Sequence, residues 1–334
     1  MNERRGCGAL IAVLLLLGCD HTAPFDPPGA PDLGPRGAGN PVQVTYNLGT
    51  DLRPSWLPDG SAFFYSMERA DRDRCLALMP SSGGTVQDQI CDRAPTSGDS
   101  IAAFESAALA PDGRLAYMRA SAAVVPPTLV PLTLELRLGT RAAPSGVIVR
   151  AFPYTASSGR IHQGLEGLQW LDAERLVYVA EEVTYDRACG TCPVDTVRTG
   201  IEVVTLIPGT GTPVIVPGTD GATSVAVAGS DTIYYARAST TTIERRVLSS
   251  GVVTPVHGFG DGVRDVTAGG GRLVAVSGSG RLWLVQPGSG ATELTAPAVT
   301  QFRRPALSPD GTRLVVEGYT FLSRSADLWL FDLP

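Results

Sequence analysis

A Pro-Asp-Gly turn set between two short apolar segments occurs three times in this chain, as "PSWLPDGSAFFYS" from residue 54, "AALAPDGRLAYMR" from residue 107 and "PALSPDGTRLVVEG" from residue 305. The aspartate can bond the backbone two residues on, the glycine can take a left-handed conformation, and the flanking β-branched and aromatic runs leave as the two strands of a hairpin. Three further stretches, "LQWLDAERLVYVA" at 168, "VAVAGSDTIYYAR" at 225 and "DVTAGGGRLVAVS" at 265, keep the apolar pattern and lose the turn motif.

The first core residue after each turn is Phe63, Leu115, Leu176, Ile233, Leu273 and Leu314, with spacings of 52, 61, 57, 40 and 41. A four-stranded propeller blade takes about 40 to 50 residues, so the last two spacings are bare blades and the earlier ones carry insertions. The expected fold is therefore all-β: a six-bladed β-propeller of four-stranded antiparallel blades. Third strands read from Cys75, Leu134, Ile201, Ile243, Leu282 and Asp327, and outer strands from Val86, Gly146, Pro213, Val252 and Ala291. One outer strand is missing at the C-terminus, whereas "VQVTYNL" at 42–48 precedes the first unit without a partner. Pairing 42–48 with the last blade at 327–333 closes the ring and removes a sheet edge.

The segment ahead of the ring reads as an address. Arg4 and Arg5 precede an apolar run from Ala9 to Leu17, then Gly18 and Cys19. Such a run is too short to span a bilayer, which takes about 20 residues, and has the layout of a secretory signal. Residues 1–18 are expected to be removed; 19–41, rich in Pro, Gly and Asp, form an extended tether; and 42–334 form the propeller.

Composition narrows the function classes. All 27 basic residues are arginine, which removes Schiff-base chemistry and the lysine of a phosphate-binding P-loop. With a net charge of −6 and no basic run, nothing marks a nucleic-acid surface. There is no G-x-S-x-G, and the three histidines are His21, His162 and His257. No catalytic residue, cofactor or metal site is read from the sequence. Asp59, Asp112 and Asp310 recur at one turn position and read as turn formers.

In an oxidising compartment the four body cysteines can pair three ways. Cys75 and Cys91 lie symmetrically about "SSGG" and are expected to bridge the third and fourth strands of the first blade. Cys189 and Cys192, in "CGTC", are expected to stiffen an insertion of the third unit.

Two resemblances follow from these motifs. Leu16-Leu17-Gly18-Cys19 resembles the bacterial lipobox, which implies lipidation of Cys19, stable membrane attachment and a place in the cell envelope on the periplasmic face; Asp20 resembles an inner-membrane retention signal. The "P-x-W-x-P-D-G" and "P-x-L-S-P-D-G" phrases resemble the Pro-Asp repeats of the TolB-type propeller family over residues 42–334. TolB carries an additional N-terminal domain where this chain has a tether, so its peptidoglycan-lipoprotein and colicin partners are not transferred.

The site expectation rests on aligning the residue before each innermost strand. Those positions read Arg53, Ser106, Gly167, Ser224, Arg264 and Arg304, preceded by Leu52, Glu105, Glu166, Thr223, Val263 and Arg303. They would ring one mouth of the central channel, with Arg53, Arg264, Arg303 and Arg304 facing Glu105 and Glu166. Arginine forks suit carboxylates, so a polar ligand or an acidic peptide end could dock there; the alternative reading is a solvated rim whose charges compensate one another. The expected function is a monomeric, non-catalytic binding or scaffold module for an envelope protein or small polar ligand; the alternative is a lyase- or lactonase-like propeller enzyme with a metal in the channel.

Overall fold

The structure, a computed structural model, describes residues 38–46, 49–68, 74–91, 100–125, 128–143, 146–153, 160–185, 193–206, 213–320 and 325–334. Every regular element among them is a strand. The chain opens with β1 (Val42–Gln43), then β2 (Asp51–Trp56), β3 (Ala62–Glu68), β4 (Arg74–Pro80) and β5 (Asp88–Ile90). It continues with β6 (Ser100–Leu109), β7 (Arg114–Val125), β8 (Thr128–Thr140) and β9 (Val147–Pro153), and then β10 (Arg160–Trp170), β11 (Arg175–Tyr185), β12 (Pro193–Thr205) and β13 (Pro213–Ile215). β14 (Ala222–Val227), β15 (Thr232–Arg237), β16 (Thr242–Val247) and β17 (Val253–Gly258) precede β18 (Val263–Gly269), β19 (Arg272–Ser277), β20 (Leu282–Gln286) and β21 (Gly290–Leu294). The last three are β22 (Val299–Leu307), β23 (Arg313–Thr320) and β24 (Ala326–Asp332).

These strands form a propeller of four-stranded blades. β10–β13, β14–β17 and β18–β21 are separate four-stranded sheets, and a fourth has the order β1-β24-β23-β22. The remaining eight strands make one sheet, in which the antiparallel sets β2–β5 and β6–β9 meet through a single parallel bridge from Arg74 to Ala103. The first strands of the sets touch in cyclic order: β2 against β6, β6 against β10, then β14, β18 and β22, which returns to β2.

The ends meet as the repeat requires. Val42 lies opposite Leu330 and Gln43 opposite Trp329; Val44 N then donates to Leu328 O at 2.8 Å, and Leu328 N donates to Thr45 Oγ1 at 2.8 Å. The expected pairing over 42–48 is thus formed by its first four residues, and residues 47 and 48 lie outside the described set. This contact supplies the fourth strand that the last sheet lacks and covers its edge.

The apolar core is divided among the seams between blades. One cluster joins Met118, Leu136 and Phe152 to Leu168 and Tyr178; another joins Val274 and Leu284 to Leu314 and Trp329. All six residues that set the repeat period, Phe63 to Leu314, are at most 1% exposed. Burying a side chain of this size contributes about 1.5–3 kcal/mol, so the repeat is a repeat of seam anchors.

The turn chemistry is as the aspartates imply. Asp59 Oδ1 accepts from Ser61 N (3.0 Å), Asp112 Oδ1 from Arg114 N (3.1 Å) and Asp310 Oδ1 from Thr312 N (3.0 Å). Gly60, Gly113 and Gly311 sit at φ of 69°, 88° and 73°. The third unit, which lacks Pro-Asp-Gly, keeps the device: Asp172 Oδ1 accepts from Glu174 N and Arg175 N, each at 2.8 Å.

Cys75 and Cys91 form the expected disulfide, with a Cα–Cα distance of 4.5 Å. Cys189 and Cys192 lie outside the described residues, as does everything before residue 38, Cys19 included. In the β7–β8 pair Ser121 lies opposite Thr133 and Val125 opposite Thr128.

Candidate functional site: a cavity over a charged floor

The innermost strands share a defect, and the defect builds the site. Each slips register against its neighbour: β2 between Leu52 and Ser55, β6 between Phe104 and Ser106, β10 on both sides of Glu166, β14 between Ala222 and Ser224, β18 between Val263 and Asp265, β22 between Arg303 and Ala306. A β-bulge inserts one extra residue and re-aims the chain locally. The aligned positions therefore lie inside the innermost strands, at their bulges; the expectation that they precede those strands is corrected. Arg53 and Arg304 are left-handed, at φ of 53° and 42°, a conformation unfavourable for arginine. Their turned backbone amides meet carboxylates: Arg53 N donates to Glu317 Oε1 at 2.8 Å and Arg304 N to Asp265 Oδ2 at 3.3 Å.

The side chains form an alternating chain of charge. Arg74 Nη1 donates to Glu105 at 2.8 Å, Arg53 Nη1 donates to Glu105 at 2.7 Å, and Arg53 Nη2 donates to Glu166 at 3.2 Å. Arg304 grips Glu166 through Nε and Nη2, both at 2.7 Å, and reaches Glu317 through Nη1 at 3.0 Å. Three arginines alternate with three glutamates, so the chain is internally compensated. Glu317 is wholly buried, and the side chains of Glu105, Arg53, Glu166 and Arg304 are 10–20% exposed. Burial alone would raise the Glu166 carboxyl; Arg304 and Arg53 together outweigh it and hold it well below the usual carboxylate range.

Of the residues expected to line a mouth, Arg53, Arg304, Glu105 and Glu166 are brought together. Arg303 lies opposite Glu317 in the β22–β23 register with its Nε buried and unbonded, and Arg264 makes none of these contacts. The protein's own glutamates occupy Nη1 and Nη2 of Arg53 and all three nitrogens of Arg304, the internal compensation that the sequence offered as the alternative, while Arg53 Nε is buried without a bond. Sequence reasoning missed Glu317, Arg74 and Asp265. Glu317 did leave a signal, as a lone charge inside the apolar run "RLVVEGY". Asp265 is displaced by one from the aligned arginine because a bulge shifts which residue turns inward.

Above this floor lies a cavity of about 370 Å³. It runs from Arg53, Glu166, Asp265 and Arg304 along walls that include Trp56, Leu168, Trp170 and Val225, as far as Pro58, Pro111 and Pro309 beside the turns. The free edges of the inner strands would leave unpaired backbone groups here, and the neighbouring blade answers them with side chains. Trp56 Nε1 donates to Ala306 O (2.8 Å) and Trp170 Nε1 to Ala108 O (2.9 Å). Gln169 Nε2 donates to Val225 O while Val227 N donates to Gln169 Oε1; Val266 N donates to Ser224 Oγ; Leu307 N donates to Thr267 Oγ1. These bonds fix the cavity walls to one another.

Asp265 is the exception on the floor. Its single hydrogen bond is from the Arg304 amide, and no guanidinium is paired with it. Burial above all pushes its carboxyl up to about 6, with Arg304 opposing and Glu166 adding. Among the described residues no group of three His, Cys, Asp or Glu side chains could hold a metal ion, and no histidine lines the cavity. His257 packs on Phe259, ring centres 4.8 Å apart, on β17.

No family model and no curated protein matches the chain. Solved propellers resemble it in fold. A gluconolactonase from Xanthomonas campestris superposes with a TM-score of 0.56 at 14% identity, covering 90% of this chain and 91% of that one. A streptogramin B lyase gives 0.51 at 10% identity, covering 88% and 97%, and the RRP9 WD40 repeats give 0.50 at 12%, covering 90% and 99%. At such identities the likeness establishes the propeller and nothing further.

Proposed function

We propose that this chain is a lipid-anchored binding module of the bacterial cell envelope, a six-bladed propeller of the TolB type that holds a ligand or a protein segment in its central cavity without transforming it. The six-blade reading is supported by the cyclic contact of β2, β6, β10, β14, β18 and β22, with the eight-stranded sheet counted as two blades joined at Arg74 and Ala103. The anchor reading rests on the signal and Cys19, with the tether giving reach from the periplasmic face, and Asp20 favouring the inner membrane.

The observation that carries the binding reading is the cavity itself: about 370 Å³, walled partly by Trp56 and Trp170, and floored by charged groups that are fixed in place before any ligand arrives. Concave, mostly apolar sites with a few fixed polar groups are where ligands bind. The test is affinity capture from native envelope with wild type and with Ala268→Trp, which fills the cavity. A partner or ligand retained by wild type and lost by the variant supports the reading; equal retention sinks it. Labelled palmitate incorporated by wild type and not by Cys19→Ser supports the anchor.

The second reading is a propeller enzyme with a metal in the channel, favoured only by the presence of a gluconolactonase and a lyase among the fold relatives. Stoichiometric metal in the purified protein, lost on substituting Glu166 and Asp265, would favour it over the binding module.

A further inference from the structure

The cavity's recognition chemistry is the reverse of what its arginines suggest. Arg304 commits Nε and Nη2 to Glu166 and Nη1 to Glu317, and Arg53 commits Nη1 to Glu105 and Nη2 to Glu166. A ligand carboxylate would have to displace Glu166 from two guanidinium groups and leave it without a partner, which is strongly unfavourable.

Two side chains on adjacent strands offer acceptors beside this floor. Asp265 lines the cavity with one oxygen engaged by a backbone amide and no guanidinium in ion-pair contact, the Arg304 and Arg303 charges acting on it only from further off. Thr223 lines the same cavity from the neighbouring strand, and its hydroxyl is buried without a hydrogen-bond partner. The two are close in the fold: Ser224 Oγ bonds both the N–H and the C=O of Val266, so Thr223 and Asp265 each stand one residue before a joined pair on β14 and β18. The surrounding wall, Leu168, Val225, Val266 and Ala268, is apolar.

From this arrangement we infer that the cavity takes a primary ammonium group carried on an apolar body, such as a small alkylamine or an amine-bearing peptide end, with Asp265 as counter-ion and Thr223 as second acceptor. The inference rests on reading the cavity as a ligand site. An ammonium brings three donors and one positive charge; the Asp265 carboxylate meets the charge and, with the Thr223 hydroxyl, accepts two of the donors. A hard divalent cation needs six or more oxygens, and the other floor carboxylates are held by arginines.

The test is calorimetric titration of the full chain in detergent at pH 7.5 with hexylamine, hexanol and hexanoate, which share an apolar tail and differ in the head group. Charge-assisted hydrogen bonds are about twice as strong as neutral ones, so hexylamine is expected to bind at least about tenfold tighter than hexanol. Asp265→Asn should erase that preference, Thr223→Val should reduce it, and Ala268→Trp should abolish binding of all three. The wild-type ranking is informative even where a variant fails to fold. Equal binding of amine and alcohol, or tighter hexanoate, overturns the amine inference while leaving the cavity as a ligand site. Amine binding that survives in Ala268→Trp overturns it by placing the amine elsewhere. A partner captured equally well by wild type and Ala268→Trp removes the cavity reading itself.

Discussion

Arg304 on β22 and Glu166 on β10 face each other across the middle of the ring and are joined by two parallel hydrogen bonds of 2.7 Å. This is the fork geometry that arginine offers a carboxylate, here made within one chain between residues 138 positions apart. Glu166 also receives Arg53, so one carboxylate ties three innermost strands together.

Replacing Glu166 with Gln should therefore destabilise the fold by about 3 kcal/mol, because two inward arginines lose their counter-charge. The sign with pH follows from a depressed carboxyl: the contribution is complete above the ordinary value of 4.5 and fades as the pH falls below it. Urea unfolding of both proteins should show a gap at pH 7 that narrows below pH 4.5. Matching midpoints at pH 7 would refute the structural role of the fork.

A second set of arginines clasps the turns at the opposite end of the innermost strands. Arg175, held by Asp172, donates to Ser230 O in the next blade at 2.8 Å; Arg272 donates to Gly311 O at 3.2 Å and Arg313 to Ser81 O at 2.8 Å. A hydrogen bond from a charged donor contributes about 1.5–3 kcal/mol at most, less where water competes. Arg175→Ala is expected to lose about 1 kcal/mol at this partly exposed site. A double-mutant cycle with Asp172→Ala should give a non-additive result, since the aspartate acts by positioning the arginine. Strict additivity would show that the two work independently.

The Cys75–Cys91 bridge closes a loop of 16 residues, worth about 3 kcal/mol on the chain-entropy model. Reductant or the double Cys→Ala variant should lower the stability by a similar amount, read as a lower thermal midpoint. A midpoint unmoved by reductant would mean that the bridge does not constrain the unfolded chain.

Asp327 on β24 is 9% exposed, its Oδ1 is buried without a hydrogen bond, and burial pushes its carboxyl up to about 7. A folded carboxyl above its unfolded value of 3.8 is least unfavourable at low pH, and the cost grows as the pH rises from that value through 7. Asp327→Asn should thus stabilise the protein by about 1–2 kcal/mol at pH 8, with the gain shrinking toward pH 5. Chemical denaturation at the two pH values measures it; a gain larger at pH 5 would reverse the assignment.

The recurrence of seam anchors, the aspartate turns, the closing strand and the Cys75–Cys91 pair were legible in the amino-acid sequence because each is local, or follows from counting the strands of a repeat. Phe63, Leu115, Leu176, Ile233, Leu273 and Leu314 are buried because each sits in a near-continuous apolar strand such as β3, β19 or β23, covered on both faces by the neighbouring sheets. Of the six charged residues among the aligned positions, Arg53, Arg304, Glu105 and Glu166 do converge.

What only tertiary structure decided is which of the converging charges are already satisfied. Register slips on the innermost strands β2, β6, β10, β14, β18 and β22 place the aligned positions inside the strands rather than before them. Glu317 and Asp265 enter from other places in the chain, one to complete the arginine forks and one to remain open beside them. Local chemistry wrote the turns and strands; the charge balance at the centre depends on residues brought within hydrogen-bond distance from up to 264 positions apart, as in the bond from Arg53 to Glu317, and so belongs to the closed ring alone.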